Sequence, residues 1–189
     1  MMKTIFVFLA DGFEEIEAIT PIDVLRRAGL NVQTVSVMEE QIVAGAHGIP
    51  VVADKMFADI HLEDAEMLLL PGGLPGATNL DAHQGLSDMI MAFASEGKAL
   101  AAICAAPLVF GNRGLLQGKK ATCYPGFEKQ IPSGIFTDSL VEVGDNIVTG
   151  RGPAATLQFA YTLLDCLGGD SNPLQEGMQY TYLKDLLKK

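Results

Sequence analysis

Short, almost wholly apolar segments alternate along this chain with longer amphipathic ones. The apolar segments cover residues 4–9, 32–37, 67–70, 99–103 and 147–149. Continuous apolar character over so few residues is typical of strands that are buried on both faces of a sheet. Because helices on both faces of a parallel sheet produce this alternation, the pattern predicts an α/β fold with a mostly parallel sheet.

The segments between these strands predict four helices. The predicted helices cover residues 14–28, residues 86–95, a segment that begins after Cys104, and a segment with Pro153 in its first turn that stops at Gly168 and Gly169. Gly29 is expected to end the first helix, and Pro21 to bend or restart it. Short extra strands, in a hairpin or at a sheet edge, are predicted around Val43, Val51 and Val141. The weakly patterned residues 173–189 are expected to form a final helix over the rim of the sheet.

The length and the net charge of the chain limit the classes of protein to which it can belong. The 189 residues contain no internal repeat or linker, which predicts one domain over residues 1–189. A net charge of −10 argues against nucleic acid as a partner, because such binding needs clustered cations. No apolar run approaches the roughly 20 residues of a membrane helix, so no membrane partner is expected. The first apolar run leads directly into acidic residues, which favours a buried strand over a signal peptide.

The cysteines and histidines indicate neither a disulfide framework nor a metal site. The three cysteines lack C-x-x-C spacing, and the three histidines lie far apart in the sequence. We therefore expect no metal and no cofactor. Free thiols fit a reducing compartment, and the cytoplasm is the predicted location.

Unusual residues follow four of the predicted strands. They are Asp11 and Gly12, then Pro71 to Gly73, then Cys104 to Pro107, and finally Gly150 to Pro153. Since ligands bind beyond the carboxyl ends of strands in open parallel sheets, these residues are expected to meet at one rim.

Cys104 is the residue on which a functional interpretation depends. A cysteine at the start of a helix has its thiolate favoured by unpaired N–H groups, and the small residues after it allow a sharp turn. A buried cysteine that acts as a small hydrophobic residue is the alternative. Glu17 shares a helical stripe with Phe13 and Pro21, which predicts an apolar setting and a raised pKa. An ordinary solvated glutamate remains the alternative, and Glu14 and Glu15 are expected to face water.

Backbone N–H groups of Gly72, Gly73 and Ala105 are candidates for binding an oxyanion. Taken alone, however, Pro-Gly-Gly is more often only a turn. Arg151 likewise lies in a segment that is usually a turn before a helix, where an arginine can simply satisfy carbonyl groups.

Four motifs taken together resemble the ThiJ/PfpI superfamily, and within it most closely the DJ-one group named for the Parkinson-disease protein. They are residues 11–17 (DGFEEIE), 70–73 (LPGG), 101–107 (AAICAAP) and 151–153 (RGP). The match runs in order along nearly the whole chain and includes residues 21–29. The resemblance implies a flavodoxin-like sandwich with a mostly parallel sheet and helices on both faces, and a homodimer.

The resemblance also implies roles for individual residues. Cys104 matches the reactive cysteine and Glu17 its protonated carboxyl partner, while Gly72, Gly73 and Ala105 match an anion pocket. Arg27 matches an arginine placed near that pocket across the dimer interface. Two positions depart from the family pattern. Hydrolytic members carry a histidine where Ala105 stands, and Tyr124 occupies the place of a histidine found in many DJ-one proteins.

Four functions follow as hypotheses. The first is glyoxalase III-like or deglycase-like chemistry on a small reactive carbonyl, with Cys104 attacking and Glu17 relaying a proton. The second is a response to oxidative stress through oxidation of Cys104. A PfpI-type cysteine protease or amidase is a third, weakened by the missing histidine. The fourth is a chaperone in which Cys104 is incidental.

Overall fold

The computed structural model describes residues 4–132 and 134–188, and a seven-stranded sheet forms their centre. In spatial order its strands are β10 (Val141–Val143), β11 (Ile147–Gly150), β7 (Ala99–Ile103), β6 (Ala65–Leu70), β1 (Thr4–Leu9), β2 (Val32–Ser36) and β5 (Lys55–Met56). Six strands run parallel, and β10 pairs antiparallel with β11 at one edge. The five predicted core strands are confirmed, with ends that shift by at most two residues.

Helices cover both faces of the sheet, as the flavodoxin-like expectation requires. They are α1 (Glu15–Arg27), α2 (Gly76–Ala82), α3 (Gln84–Ser95), α4 (Pro107–Gly111), α5 (Thr156–Cys166), α6 (Asn172–Gly177) and α7 (Tyr180–Leu187). Alternate side chains of β1 divide between two cores. Phe6 and Phe8 pack with α2, α3 and α4, whereas Ile5, Val7 and Leu9 pack with α1 and α5. This two-sided burial explains the continuous apolar sequence of the strands.

Three helices differ from their predictions. Helix α1 runs through Pro21 without a restart, and Arg27 ends it. The helix after Cys104 has only five residues and begins at Pro107. The chain after residue 171 forms two helices, which lie against the outer surface of α1 and α5 rather than over the rim. There Leu174 and Met178 cover the buried residues Val24, Ala160 and Tyr161.

Small elements complete the fold. The predicted extra strands are β10 and an antiparallel hairpin, β3 (Ile42–Ala44) with β4 (Pro50–Val52). Strand β5, the parallel pair β8 (Lys120–Ala121) and β9 (Ile135–Phe136), and helix α2 were not predicted, because their two to seven residues show no periodicity. Within the described ranges, none of the helices combines the length and the hydropathy that crossing a bilayer requires.

The sheet order fixes where a ligand site can form. The chain passes from β1 to β2 on one side, and later returns to place β6 on the other side of β1. The connections after β1 and β6 therefore diverge at their carboxyl ends and leave a crevice between them. The segment after β7, the neighbour of β6, opens onto the same rim.

Candidate active site

Cys104 lies in a strained turn directly after β7. Its φ angle of 66° falls in the left-handed region, which a residue with a side chain adopts at a cost on the order of 1–3 kcal/mol. Two backbone hydrogen bonds hold it there. The Cys104 N–H donates to the Gly150 carbonyl, and the Cys104 carbonyl accepts from the Tyr124 N–H, both at 2.9 Å. The turn presents the sulfur at the carboxyl end of the sheet, as the predicted strand-to-helix elbow requires.

Glu17 lies in the first turn of α1 and is completely buried. The burial predicted from its helical stripe is thereby confirmed. Its Oε2 atom accepts a hydrogen bond of 3.0 Å from the Gly72 N–H. Its Oε1 atom is buried and has no hydrogen-bond partner of regular geometry among the described residues, while the carboxyl group lies within reach of the Cys104 thiol. The Glu17 carboxyl can therefore exchange a proton with the Cys104 thiol.

The ionisation of the two side chains is coupled, because each lies in the field of the other. Burial raises the pKa of Glu17 to about 7, against the lowering effect of the hydrogen bonds from Cys104 and Gly72. Burial, and then the charge of the Glu17 carboxylate, raise the pKa of the Cys104 thiol, whereas the N–H groups of Gly73 and Ala105 lower it. Loss of both protons is strongly disfavoured, so the pair carries a single negative charge just above pH 7.

The expectation of a lowered pKa for Cys104 is therefore wrong in direction. It assumed a helix starting at the cysteine, but α4 begins three residues later and is too short to carry a large dipole. Burial and the adjacent carboxylate exceed the effect of the two N–H groups.

Two glycines shape the floor of the site. A Cβ atom on Gly72 would lie 2.5 Å from Glu17 Oε2 and 2.7 Å from Cys104 Cβ, so only glycine lets the backbone approach both groups. Gly73 has a φ of 87°, and a side chain there would collide with the backbone of Glu14. The Gly73 and Ala105 N–H groups point at the sulfur. Gly72 donates its N–H to Glu17 in this structure, so its role in an anion pocket stays a prediction and would require this hydrogen bond to break.

A pocket of about 210 Å³ opens above the sulfur. Its lining residues are Gly73, Leu74, Cys104, Ala105, Tyr124 and Phe127. Cys104 is 8% exposed and lines this pocket, so the residue lies at the bottom of the pocket rather than sealed in the core. Leu74 and Phe127 were not singled out from the sequence. Leu74 directly follows the Pro-Gly-Gly turn, whereas no sequence signal marks Phe127.

The two arginines named from the sequence lie elsewhere. Arg151 pairs with Asp138 at 3.1 Å and lines two neighbouring cavities on the far side of Tyr124. Arg27 pairs with Asp23 at 2.7 Å. It follows Glu17 by ten residues, or about 15 Å along the axis of α1, so within one chain it does not reach the pocket.

Glu14 and Glu15 are buried, contrary to the expectation that they face water. Glu14 caps α1 by accepting a hydrogen bond of 2.8 Å from the Glu17 N–H. Glu15 accepts from the His47 N–H at 2.7 Å, and the His47 ring lies at 2.8 Å. In the described part of the chain these three residues are the one group whose ligand-type atoms lie within 4.8 Å of one another, as a metal site requires. Hydrogen bonds between Glu15 and His47 already engage two of these three residues.

Comparisons with known proteins identify relatives of this chain. Residues 3–166 match the model of the DJ-1/PfpI family. Protein DJ-1 homolog B of Arabidopsis thaliana is 42% identical over 175 residues, which are 92% of this chain and 40% of that protein. The structure described as Toxoplasma gondii DJ-1, oxidized, matches with a TM-score of 0.86 and 36% identity, over 96% of this chain and 98% of that one. Drosophila melanogaster DJ-1beta matches with a TM-score of 0.89 and 32% identity, over 94% and 98%.

The chain spans about two fifths of the length of the Arabidopsis proteins that it matches. It covers nearly all of the Toxoplasma and Drosophila structures. The similarity therefore extends over the sheet, the helices on both faces and the segments that carry Cys104 and Glu17.

Proposed function

Because this chain belongs to the DJ-1/PfpI family, we propose that Cys104 is the nucleophile of a glyoxalase III-like reaction on small reactive carbonyl compounds. The observation that carries the proposal is the buried Glu17 carboxyl, which lies within hydrogen-bond reach of the Cys104 thiol. A carboxyl with a pKa of about 7 can both give and take a proton at neutral pH.

Glu17 has the lower pKa of the two groups, so the thiolate forms when the proton of the Cys104 thiol moves to the Glu17 carboxylate. The reaction starts from this form of the singly charged pair, with the proton on Glu17 and the negative charge on sulfur. The N–H groups of Gly73 and Ala105 stabilise this arrangement. The Cys104 thiolate attacks the aldehyde carbon of an α-oxoaldehyde and forms a C–S bond. The aldehyde oxygen takes the proton of Glu17, which yields a hemithioacetal and the Glu17 carboxylate.

Glu17 then moves a proton between the two carbons of the substrate. Its carboxylate removes the proton of the former aldehyde carbon, and an enediolate forms with its negative charge on the second oxygen. The carboxyl returns that proton to the adjacent carbon, while the hydroxyl proton passes from the first oxygen to the second. The product is a thioester of a 2-hydroxy acid, which water hydrolyses to the acid and the free thiol. One carbon is oxidised and its neighbour reduced, so the reaction needs no external oxidant and no cofactor.

Turnover of methylglyoxal tests the proposal. The purified protein is expected to produce lactate without added glutathione. Each turnover regenerates the free Cys104 thiol, so the protein acts catalytically. Cys104→Ser and Glu17→Gln should each lower kcat/KM at least about a hundredfold, the range typical of losing a nucleophile or a general base. Cys166→Ser is the matched control, because Cys166 is exposed at the end of α5. Equal lactate production by the wild type and Cys104→Ser would overturn the proposal. A deglycase activity would start from the same hemithioacetal.

An oxidative-stress response is a second candidate, favoured by the two N–H groups that point at the sulfur. Sulfinate oxygens are hydrogen-bond acceptors, and the same donors together with a protonated Glu17 would stabilise them. The Toxoplasma structure is described as oxidized, in keeping with this chemistry in a similar protein.

Peptide or amide hydrolysis fits the site less well. Among the described residues, no histidine lines the Cys104 pocket. His47 is bound to Glu15, and the His83 ring caps α3 by accepting from the Leu86 N–H. A cysteine hydrolase would lack its usual base.

Assembly and location complete the proposal. Ile16 and Ile19 on α1 are 52% and 42% exposed, an apolar surface that a homodimer through α1 would cover. The expected role of the α1 cations at such an interface is weakened, because Arg26 and Arg27 are already bound within the chain to Asp54 and Asp23. The three cysteines are free thiols, which fits the reducing cytoplasm.

A further inference from the structure

The pocket above Cys104 has apolar walls. Leu74, Phe127 and the ring of Tyr124 form its sides. Its polar groups lie at the bottom, where the thiol meets Glu17 and the N–H groups of Gly73 and Ala105. At about 210 Å³, the pocket has space beyond that needed by the two carbonyl groups of a substrate. Whatever substituent a carbonyl compound carries must therefore lie against Leu74, Phe127 and Tyr124.

No cationic side chain is among the described residues that line this pocket. Arg151 lies beyond Tyr124 and is held by Asp138, and Arg27 is held by Asp23 at the far end of α1. A carboxylate carried by the substrate would lose its water of hydration here without gaining a cation of the same chain. An apolar substituent would lose nothing by leaving water.

Tyr124 is fixed in a position from which it can contact such a substituent. Its backbone N–H donates to the carbonyl of Cys104, and this hydrogen bond holds the Tyr124 backbone next to the reactive residue. One side of the ring lies on Gly152, where an added Cβ would be 3.3 Å from Tyr124 Cδ2. The ring also packs edge-to-face on Phe127, with centroids 6.4 Å apart and planes at 84°. It remains 47% exposed, so part of its surface is available to a ligand.

We propose that this pocket selects α-oxoaldehydes with an apolar and preferably aromatic substituent, and that Tyr124 is the residue that determines this specificity. The inference rests on the proposed function, because the aldehyde carbon must lie at the Cys104 sulfur. The substituent then contacts Leu74 and Phe127 and stacks on, or meets edge-on, the ring of Tyr124.

Comparing three substrates tests the preference. The probes are phenylglyoxal, methylglyoxal and 4,5-dioxopentanoate, an α-oxoaldehyde that ends in a carboxylate. The expected order of kcat/KM is phenylglyoxal, methylglyoxal, 4,5-dioxopentanoate. Tyr124→Ala should lower kcat/KM for phenylglyoxal, divided by kcat/KM for methylglyoxal, about tenfold. Tyr124→Phe keeps the ring and should keep the ratio. Tyr182→Ala, which removes a tyrosine that is 63% exposed on α7, is the matched control.

Two results would overturn the inference while leaving the proposed function intact. The first is an unchanged ratio in Tyr124→Ala. The second is turnover of 4,5-dioxopentanoate above that of methylglyoxal, which would indicate a cation supplied across a dimer interface. Loss of turnover of all substrates in Tyr124→Phe would instead assign the hydroxyl a chemical role and contradict a purely steric one.

Alkylation of Cys104 separates this inference from the proposed function, because it needs no turnover. The rate with N-benzyliodoacetamide, divided by the rate with iodoacetamide, is measured for the protein and for a free small thiol. The protein's ratio is expected to exceed that of the free thiol about tenfold, and Tyr124→Ala should remove most of this excess. Equal ratios for protein and free thiol would contradict an aromatic-selective pocket, even if the protein turned over no carbonyl compound.

Discussion

Replacing Glu17 with Gln should change how the stability of the protein depends on pH. The substitution preserves the shape of the side chain. The amide oxygen can still accept from the Gly72 N–H, and the amide N–H can donate to the Cys104 sulfur. What it removes is the ionisable proton. Any difference between the two proteins that varies with pH therefore reports on the carboxyl group itself.

The sign of the effect follows from the direction of the pKa shift. In the folded protein the pKa of Glu17 is raised from 4.5 to about 7, chiefly by burial. Between these values the folded state keeps a proton that the unfolded state has lost, so stability decreases as the pH rises. The slope approaches about 1.4 kcal/mol per pH unit, and the total loss is about 3 kcal/mol. Glu17→Gln lacks this loss and should gain stability relative to the wild type from pH 4.5 to 7.5.

The difference in stability between the two proteins is measured by urea unfolding at intervals across this pH range, with circular dichroism as the signal. The free energy of unfolding of Glu17→Gln minus that of the wild type should increase with pH and level off above pH about 7. Glu63→Gln, which alters an exposed carboxyl, is the control. Its free energy of unfolding should vary with pH in the same way as that of the wild type. A parallel profile for Glu17→Gln would mean that the Glu17 carboxyl ionises normally in the folded protein, and the proton relay proposed for it would lose its basis.

Two further predictions concern oxidation and assembly. Under graded peroxide Cys104 should gain oxygen before the other two cysteines, because Glu17 can take the proton of its thiol and because the N–H groups of Gly73 and Ala105 point at the sulfur and can stabilise the oxidised group. Peptide mass spectrometry checks the order, and earlier oxidation of Cys166 would contradict it. Light scattering of the wild type should give a dimer mass at micromolar concentration, and Ile16→Glu together with Ile19→Glu should give a monomer, because two buried carboxylates would face an apolar surface. A wild-type monomer would refute the proposed assembly.

Much of the fold could be predicted because its signals are local. Strands β1 and β7 are continuous apolar runs, and their ends were predicted to the residue. Helix α1 carries its own start and stop signals. The burial of Glu17 likewise follows from its spacing to Phe13 and Pro21. These features depend only on residues that are close in the sequence.

Other features depend on contacts between distant segments. Whether Gly72 is free to bind an oxyanion depends on Glu17, which lies 55 residues earlier and takes its N–H. The burial of Glu15 depends on the loop around His47, which returns to the start of α1 through a β-hairpin. No periodicity within either segment carries this information, because each segment has several possible neighbours until the chain is folded.

The ionisation of Cys104 shows how the sign of an effect can depend on geometry that a motif does not specify. The same strand, cysteine and turn could be followed by a long helix, whose dipole would lower the thiol pKa. Here α4 has five residues and begins beyond the turn, and the sulfur lies instead beside a buried carboxyl. The reactivity of this cysteine then depends on where the pair keeps its last proton. A proton on Glu17 leaves the charge on sulfur, in front of the N–H groups of Gly73 and Ala105, whereas a proton on sulfur leaves an unreactive thiol. Glu17 is thus the residue on which both the carbonyl chemistry and the oxidation of Cys104 depend.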